Sequence, residues 1–212
     1  MDLSIPLTEL KSIINSTNVN EIANLTEKYA TGVTTDTRAV EENQIFLALK
    51  GEKFDGHDFV ETAIDKGAIA LILSRQISLN ISKNIPQFIV NDTLDAYQKI
   101  ARWWRDRFDL PVIAITGSVG KTTTKELIAS VLATQGNVLK TAANYNNEIG
   151  VPKTLLELRS HHQYAVIEMG MRGRGEIALL SQIARPTIGI ITNVGTAHIG
   201  RLGSEQAIAE AK

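Results

Sequence analysis

The sequence predicts an α/β fold in two parts: a small N-terminal α/β unit, then a mostly parallel sheet of P-loop type with helices on both faces. Three observations carry that prediction. Apolar runs of buried-strand length, at residues 44–49, 68–73 and 112–116, alternate with stretches of helical period. A glycine loop at residues 116–123 follows one such run and opens a helix. Periodicity fades over residues 74–86, where Ser, Asn and Pro gather, which marks a linker and divides the chain into 1–85 and 86–212.

In the first part, residues 7–14 and 19–25 are short and weakly patterned. Residues 32–38 lead into the apolar strand at 44–49. Phe59, Val60, Ala63 and Ile64 then recur at helical spacing, and Gly67 stops that helix before the strand at 68–73. The second part opens on a short strand, 87–90. Asp92 or Thr93 caps the next helix, which aligns Leu94, Tyr97, Ala101, Trp104 and Phe108 on one face. A strand at 112–116, the glycine loop and a helix from about Lys121 to Thr134 follow. Two further strands, 164–168 and 187–192, flank a helix at 175–183. Strands alternating with helices argue a parallel sheet. The helical pattern at 205–212 runs out without a cap, so the chain is expected to be an N-terminal fragment of a longer protein.

Charge and composition narrow the function. The 22 basic and 23 acidic residues nearly cancel, without the basic excess that nucleic acids or anionic membranes attract. Cysteine is absent, which excludes disulfides, thiolate metal sites and a cysteine nucleophile. The first residues, MDLSIP, have no signal-peptide pattern, and no apolar run approaches the roughly 18 residues that span a bilayer. A cytoplasmic monomer, with no nucleic-acid partner and no membrane insertion, is the expectation.

The glycine loop reads Thr116-Gly117-Ser118-Val119-Gly120-Lys121-Thr122-Thr123. Its glycines let successive backbone N–H groups turn inward, and the helix N-terminus adds partial positive charge. Lys121 is placed to neutralise β- and γ-phosphate oxygens, and the Thr122 hydroxyl to join a Mg²⁺ shell. The loop therefore predicts binding of a nucleoside triphosphate, ATP in the first instance. The common eight-residue pattern needs glycine at position 115, which is Ile115 here, so this loop is a shorter variant. A guanine-specific N-K-x-D stretch is absent.

Ligands of open parallel sheets bind beyond the carboxyl ends of the strands. Glu168 ends the apolar run 164–167, and Asn193 to His198 follow the strand 187–192. A carboxylate and a histidine at neighbouring strand ends suit cation ligation, although Mg²⁺ prefers oxygen. A solvated strand edge and a structural loop histidine account for the same residues. Arg172 and Arg174 fit an anionic substrate or a plain exposed loop equally well.

These blocks together resemble the Mur ligase family, the ATP-dependent enzymes that build the peptide stem of cell-wall precursors. The family's short loop, T-G-[ST]-x-G-K-[ST]-[ST], is similar to residues 116–123. Residues 35–38 (TDTR), 46–51, 54–57 (FDGH), 144–152, 168–170, 175–177 and 192–198 carry the rest of the likeness. Within the family they look most like the branch that adds D-alanyl-D-alanine to UDP-N-acetylmuramoyl-tripeptide. Met169, Gly170 and Ala197 differ from the serines and aspartate usual in the branch that adds the third amino acid.

The resemblance implies three domains: a first for the uridine end of the substrate, a second for ATP, and a third lying beyond these residues. It implies that Thr35, Asp36, Thr37 and Arg38 line the uridine or pyrophosphate end, and that Asn146 and Asn147 belong to the crevice. It implies catalytic roles for Lys121, Glu168, His198 and Lys212, with Thr122, Glu168, His198 and a carbamoylated Lys212 serving Mg²⁺.

Overall fold

The computed structural model describes residues 2–19, 25, 28–79, 85–197 and 199–212. They form two compact units, Asp2–Ile100 and Ala101–Lys212.

The first unit runs β1 (Ile5–Pro6), α1 (Leu7–Ile14), β2 (Asn18–Val19), β3 (Tyr29–Ala30), β4 (Gly32–Thr34), β5 (Gln44–Leu47), α2 (Val60–Asp65), β6 (Ala70–Leu73) and β7 (Gln87–Ile89). Strands β4 to β7 pair in parallel, β2 joins β7 antiparallel, and β1 and β3 form a separate two-stranded ribbon. Every residue of β6 is buried, as a strand covered on both faces requires. Helix α2 turns Val60, Ala63 and Ile64 onto Phe46, Leu71 and Leu73. It stops at Gly67, whose φ of 105° lies in the left-handed region that favours glycine.

One element belongs elsewhere than the sequence pattern placed it. Strand β7, counted above with the second part, hydrogen-bonds along β6 with Leu71, Ile72 and Leu73 opposite Gln87, Phe88 and Ile89. The compact unit that contains β7 runs to Ile100. A three-residue strand carries no local record of its partner, because pairing is long-range.

Helix α3 (Thr93–Arg105) carries the boundary between the units. Asp92 is its cap, accepting from Leu94 N at 2.8 Å and Asp95 N at 3.2 Å. The second unit continues with β8 (Val112–Thr116), α4 (Lys121–Leu132), β9 (Val138–Lys140), α5 (Gly150–Leu156), β10 (Tyr164–Glu168), α6 (Glu176–Ala184), β11 (Ile188–Ile191), α7 (Ile199–Leu202) and α8 (Glu205–Ala211). The sheet order is β11-β8-β10-β9, all parallel. Ile113, Ile115 and Val166 pack against Ala129 of α4, while all five residues of β8 are buried. Parallel strands point their carboxyl ends the same way, so the loops after β8, β10 and β11 meet at one edge. Strand β9 and helix α5 were not legible in the sequence: β9 has three residues ending in Lys140, and α5 carries Pro152 in its first turn.

Candidate active site

The phosphate loop is shaped by the end of β11. Gly117 has φ 148°, and a Cβ there would lie 1.9 Å from Thr192 Oγ1, so no side chain fits. Thr192 Oγ1 donates to Val119 O at 2.6 Å. Asn193 Oδ1 accepts from Ser118 N at 3.1 Å and Val119 N at 3.0 Å, and Gly195 N donates to Ser118 Oγ at 3.0 Å. Gly120, at φ 83°, delivers the chain into α4. The first-turn amides of that helix have no intrahelical acceptor and face anions by default. Lys121 folds back across the loop and donates to Gly117 O at 2.7 Å.

Glu168 ends β10 only 2% exposed, the one buried carboxylate among the described residues. Its Oε2 accepts from Thr122 Oγ1 at 2.9 Å and its Oε1 from Asn146 Nδ2 at 2.8 Å. Its backbone N donates to Thr141 Oγ1 at 2.9 Å. The strand-end carboxylate is therefore not a solvated edge; it is aimed at the loop by three neighbours. Asn147 does different work, because its Oδ1 accepts from Ile149 N and Gly150 N and fastens the turn that leads into α5.

A cavity of about 300 Å³ opens over this network, lined by Gly117, Lys121, Asn146, Asn147, Arg172 and Lys212 among others. Glu168 and Thr122 are not in its lining; the lining residue Asn146 connects Glu168 to it. Lys212, at the end of α8, has its ammonium pushed below the ordinary lysine value, first by burial and then by repulsion from Lys121. Arg172 lines the cavity but is engaged, donating to Glu148 Oε1 at 2.9 Å. Arg174 pairs with Glu210 of α8 at 3.5 Å in an exposed ion pair. His198 lies outside the described residues.

Thr122 and Glu168 supply hard oxygen donors, which suit Mg²⁺. Among the described residues no group of three or more His, Asp or Glu could hold a metal by itself. A cation here would complete its shell with phosphate oxygens and water, the habit of Mg²⁺ at nucleotide sites.

In the first unit, Thr35, Asp36, Thr37 and Arg38 line a second cavity of about 500 Å³ with Phe46, Leu49, Phe54, Gly56 and Phe59. Asp36 caps a 3-10 turn by accepting from Arg38 N at 2.9 Å, and Arg38 Nη2 grips the same carboxylate at 2.7 Å. The loop bearing Phe54 is held from below. Buried His57 accepts from Ser74 N through Nε2 at 2.9 Å, so its Nδ1 carries the proton and donates to Asp55 Oδ1 at 2.5 Å. Gly56 closes against Ala48 and Leu49, where a Cβ would lie 2.9 Å from backbone.

Residues 115–212 match the Mur ligase middle domain, and residues 29–102 match the catalytic domain of the Mur ligase family. The chain belongs to the Mur ligase family. It is 56% identical, over all of its length and 46% of the relative's, to UDP-N-acetylmuramoyl-tripeptide--D-alanyl-D-alanine ligase of Synechocystis sp.. Among solved Mur ligases it is similar to MurF from Acinetobacter baumannii, with TM-score 0.89 and 39% identity over 99% of this chain and 45% of that one. MurF from Thermotoga maritima, solved in complex with ADP, matches with TM-score 0.77 and 36% identity over 84% of this chain and 41% of that one. The chain thus spans about half the length of the Mur ligases it matches.

Sequence reasoning passed over two residues of this candidate site, Thr141 and Lys125, and named Asn193 without its role. Thr141 holds the backbone of Glu168, Asn193 holds the loop amides, and Lys125 lies buried beside both Thr141 and Glu168. Lys125 carried a readable signal: its neighbours at helical spacing, Ala129 and Leu132, are core residues, so a charged side chain there needs buried partners.

Proposed function

We propose that the protein is an ATP-dependent amide ligase of peptidoglycan precursor synthesis, joining D-alanyl-D-alanine to UDP-N-acetylmuramoyl-tripeptide. The observation that carries this reading is the contact of Thr122 with Glu168, 2.9 Å long, which Asn146 links to a cavity lined by Lys121 and Lys212. The names of the relatives, and ADP in the Thermotoga maritima relative, support the nucleotide and the substrates.

A carboxylate is a poor acyl donor, because oxide would have to leave. Transfer of the γ-phosphoryl group makes an acyl phosphate and ADP. The D-alanyl-D-alanine amine then attacks the carbonyl, loses a proton, and phosphate departs. Two anions must approach each other in the first step, so positive charge and positioning are the main demands. The α4 amides and Lys121 hold the phosphates. Thr122 and Glu168 would hold Mg²⁺ through their oxygens, and by the family resemblance His198 and a carbamoylated Lys212 would serve a second ion. Mg²⁺, when bound, offsets charge shared between phosphate and carboxylate oxygens. Lys212 with lowered basicity favours the neutral amine, the form that combines with CO₂.

In the first unit, the aromatic wall of Phe54 and Phe59 beside Arg38 suits a flat base joined to a diphosphate. A cytoplasmic site fits these phosphorylated substrates, and among the described residues no helix is long and apolar enough to cross a membrane.

The test is product formation by a chain of the relatives' length. Phosphate release should require the tripeptide, D-alanyl-D-alanine and ATP together, with a product of the joined mass. Lys121→Ala should cut turnover by about a hundredfold or more while the fold persists. Phosphate release indifferent to D-alanyl-D-alanine, or joining of a single amino acid instead, would overturn the assignment.

A further inference from the structure

Lys125, one turn into α4, has a side chain only 2% exposed. Its Nζ donates to Thr141 O at 2.8 Å and lies 3.1 Å from Glu126 Oε1 and 4.0 Å from Glu168 Oε2. An ammonium this deep is retained only where anions and acceptors replace water. Glu126 is about half exposed and also pairs with Lys140. Glu168, at 3%, is buried as deeply as Lys125 itself. Thr141 joins the two, accepting from Lys125 through its carbonyl and from Glu168 N through its hydroxyl.

We propose that Lys125 is the resident counter-ion of Glu168, which keeps that carboxylate from capturing a divalent cation until nucleotide phosphates arrive. The proposal rests on the reading of Glu168 as a cation ligand. Both carboxylate oxygens have partners within the protein, Thr122 on Oε2 and Asn146 on Oε1. An incoming cation must displace the Thr122 bond and sit near a fixed positive charge. The triphosphate adds enough negative charge to reverse that balance, so cation and nucleotide enter together. Lys125 touches no reacting atom in this account; it is a positioning residue that sets the order of assembly.

Mn²⁺ binding to the nucleotide-free protein, read from the loss of its free-ion EPR signal, tests the proposal. Lys125→Met should bind Mn²⁺ about tenfold tighter than the parent protein, because a unit charge near the ion is removed. Lys125→Arg should resemble the parent, and Lys125→Met/Glu168→Gln should lose the gain. Unchanged or weaker binding by Lys125→Met would overturn the idea. If Lys125→Met leaves Glu168 uncompensated and fails to fold, the double variant should fold, since both charges are gone; its failure would equally sink the pairing. The underlying ligand reading is checked separately by Glu168→Gln alone with ADP and Mn²⁺. Loss of metal-dependent ADP binding supports Glu168 as a ligand, and an unaltered response removes that role whatever Lys125 does.

Discussion

Asn146 donates its side-chain amide to Glu168 Oε1 at 2.8 Å, on the oxygen opposite the one that Thr122 holds. The asparagine thus sets the direction of the carboxylate and lines the cavity at the same time. Asn146→Asp would place a second carboxylate against the first. It should lose about 1–3 kcal/mol at pH 8 and recover part of that near pH 5, where one shared proton relieves the repulsion. Urea midpoints at the two pH values check this. An equal loss at both would show that repulsion is not the cause.

Thr192 Oγ1 stands where a Cβ at position 117 would go. Gly117→Ala should destabilise the protein by about 1–3 kcal/mol and displace the loop, since both the left-handed backbone and the 1.9 Å approach oppose a Cβ. Pairing it with Thr192→Ala removes the clash but not the backbone strain, so stability should return only in part. Full recovery would assign the whole cost to the collision.

Asp55 predicts an acid limb. The His57 backbone N–H, with the His57 ring and Arg75, holds this carboxyl well below its ordinary value. Its stabilising contribution is therefore complete above about pH 4 and fades as pH falls toward the depressed folded value. Asp55→Asn should be less stable at pH 7 by about 1–3 kcal/mol. The gap between the two proteins should close on acidification. Thermal midpoints taken between neutral and acid pH measure it, and a gap of constant size would refute the linkage.

Lys212 predicts a reactive amine. Burial and Lys121 lower its basicity, so the folded chain binds fewer protons here than the unfolded one, and stability rises with pH between the lowered value and about 10.4. With ¹³C-bicarbonate a carbamate resonance should form and be absent from Lys212→Ala. Short carboxylates should restore part of the turnover lost in that variant at relatives' length, whereas Lys212→Arg should stay inactive. An active Lys212→Arg would point to a charge-only role.

Local chemistry made much of this protein readable from its residues. The phosphate loop needs glycines, a lysine and a hydroxyl within eight consecutive positions, so its spacing is itself the signal. The strand at 112–116 and the stop at Glu168 were legible because buried runs are uninterrupted and a carboxylate ends one abruptly. Residues whose role depends on a distant partner were not. Asn193 reaches the loop across 75 positions and Lys125 reaches Thr141 across 16. Strand β7 gives its sheet away only through pairing with β6. The amino-acid order by itself determined the parallel α/β plan and the nucleotide loop, since both are written in neighbouring residues. Which asparagine aims the Glu168 carboxylate and which lysine lies beside it were decided only by tertiary structure. Burial in a common core makes a charge seek its partner through space and not along the chain.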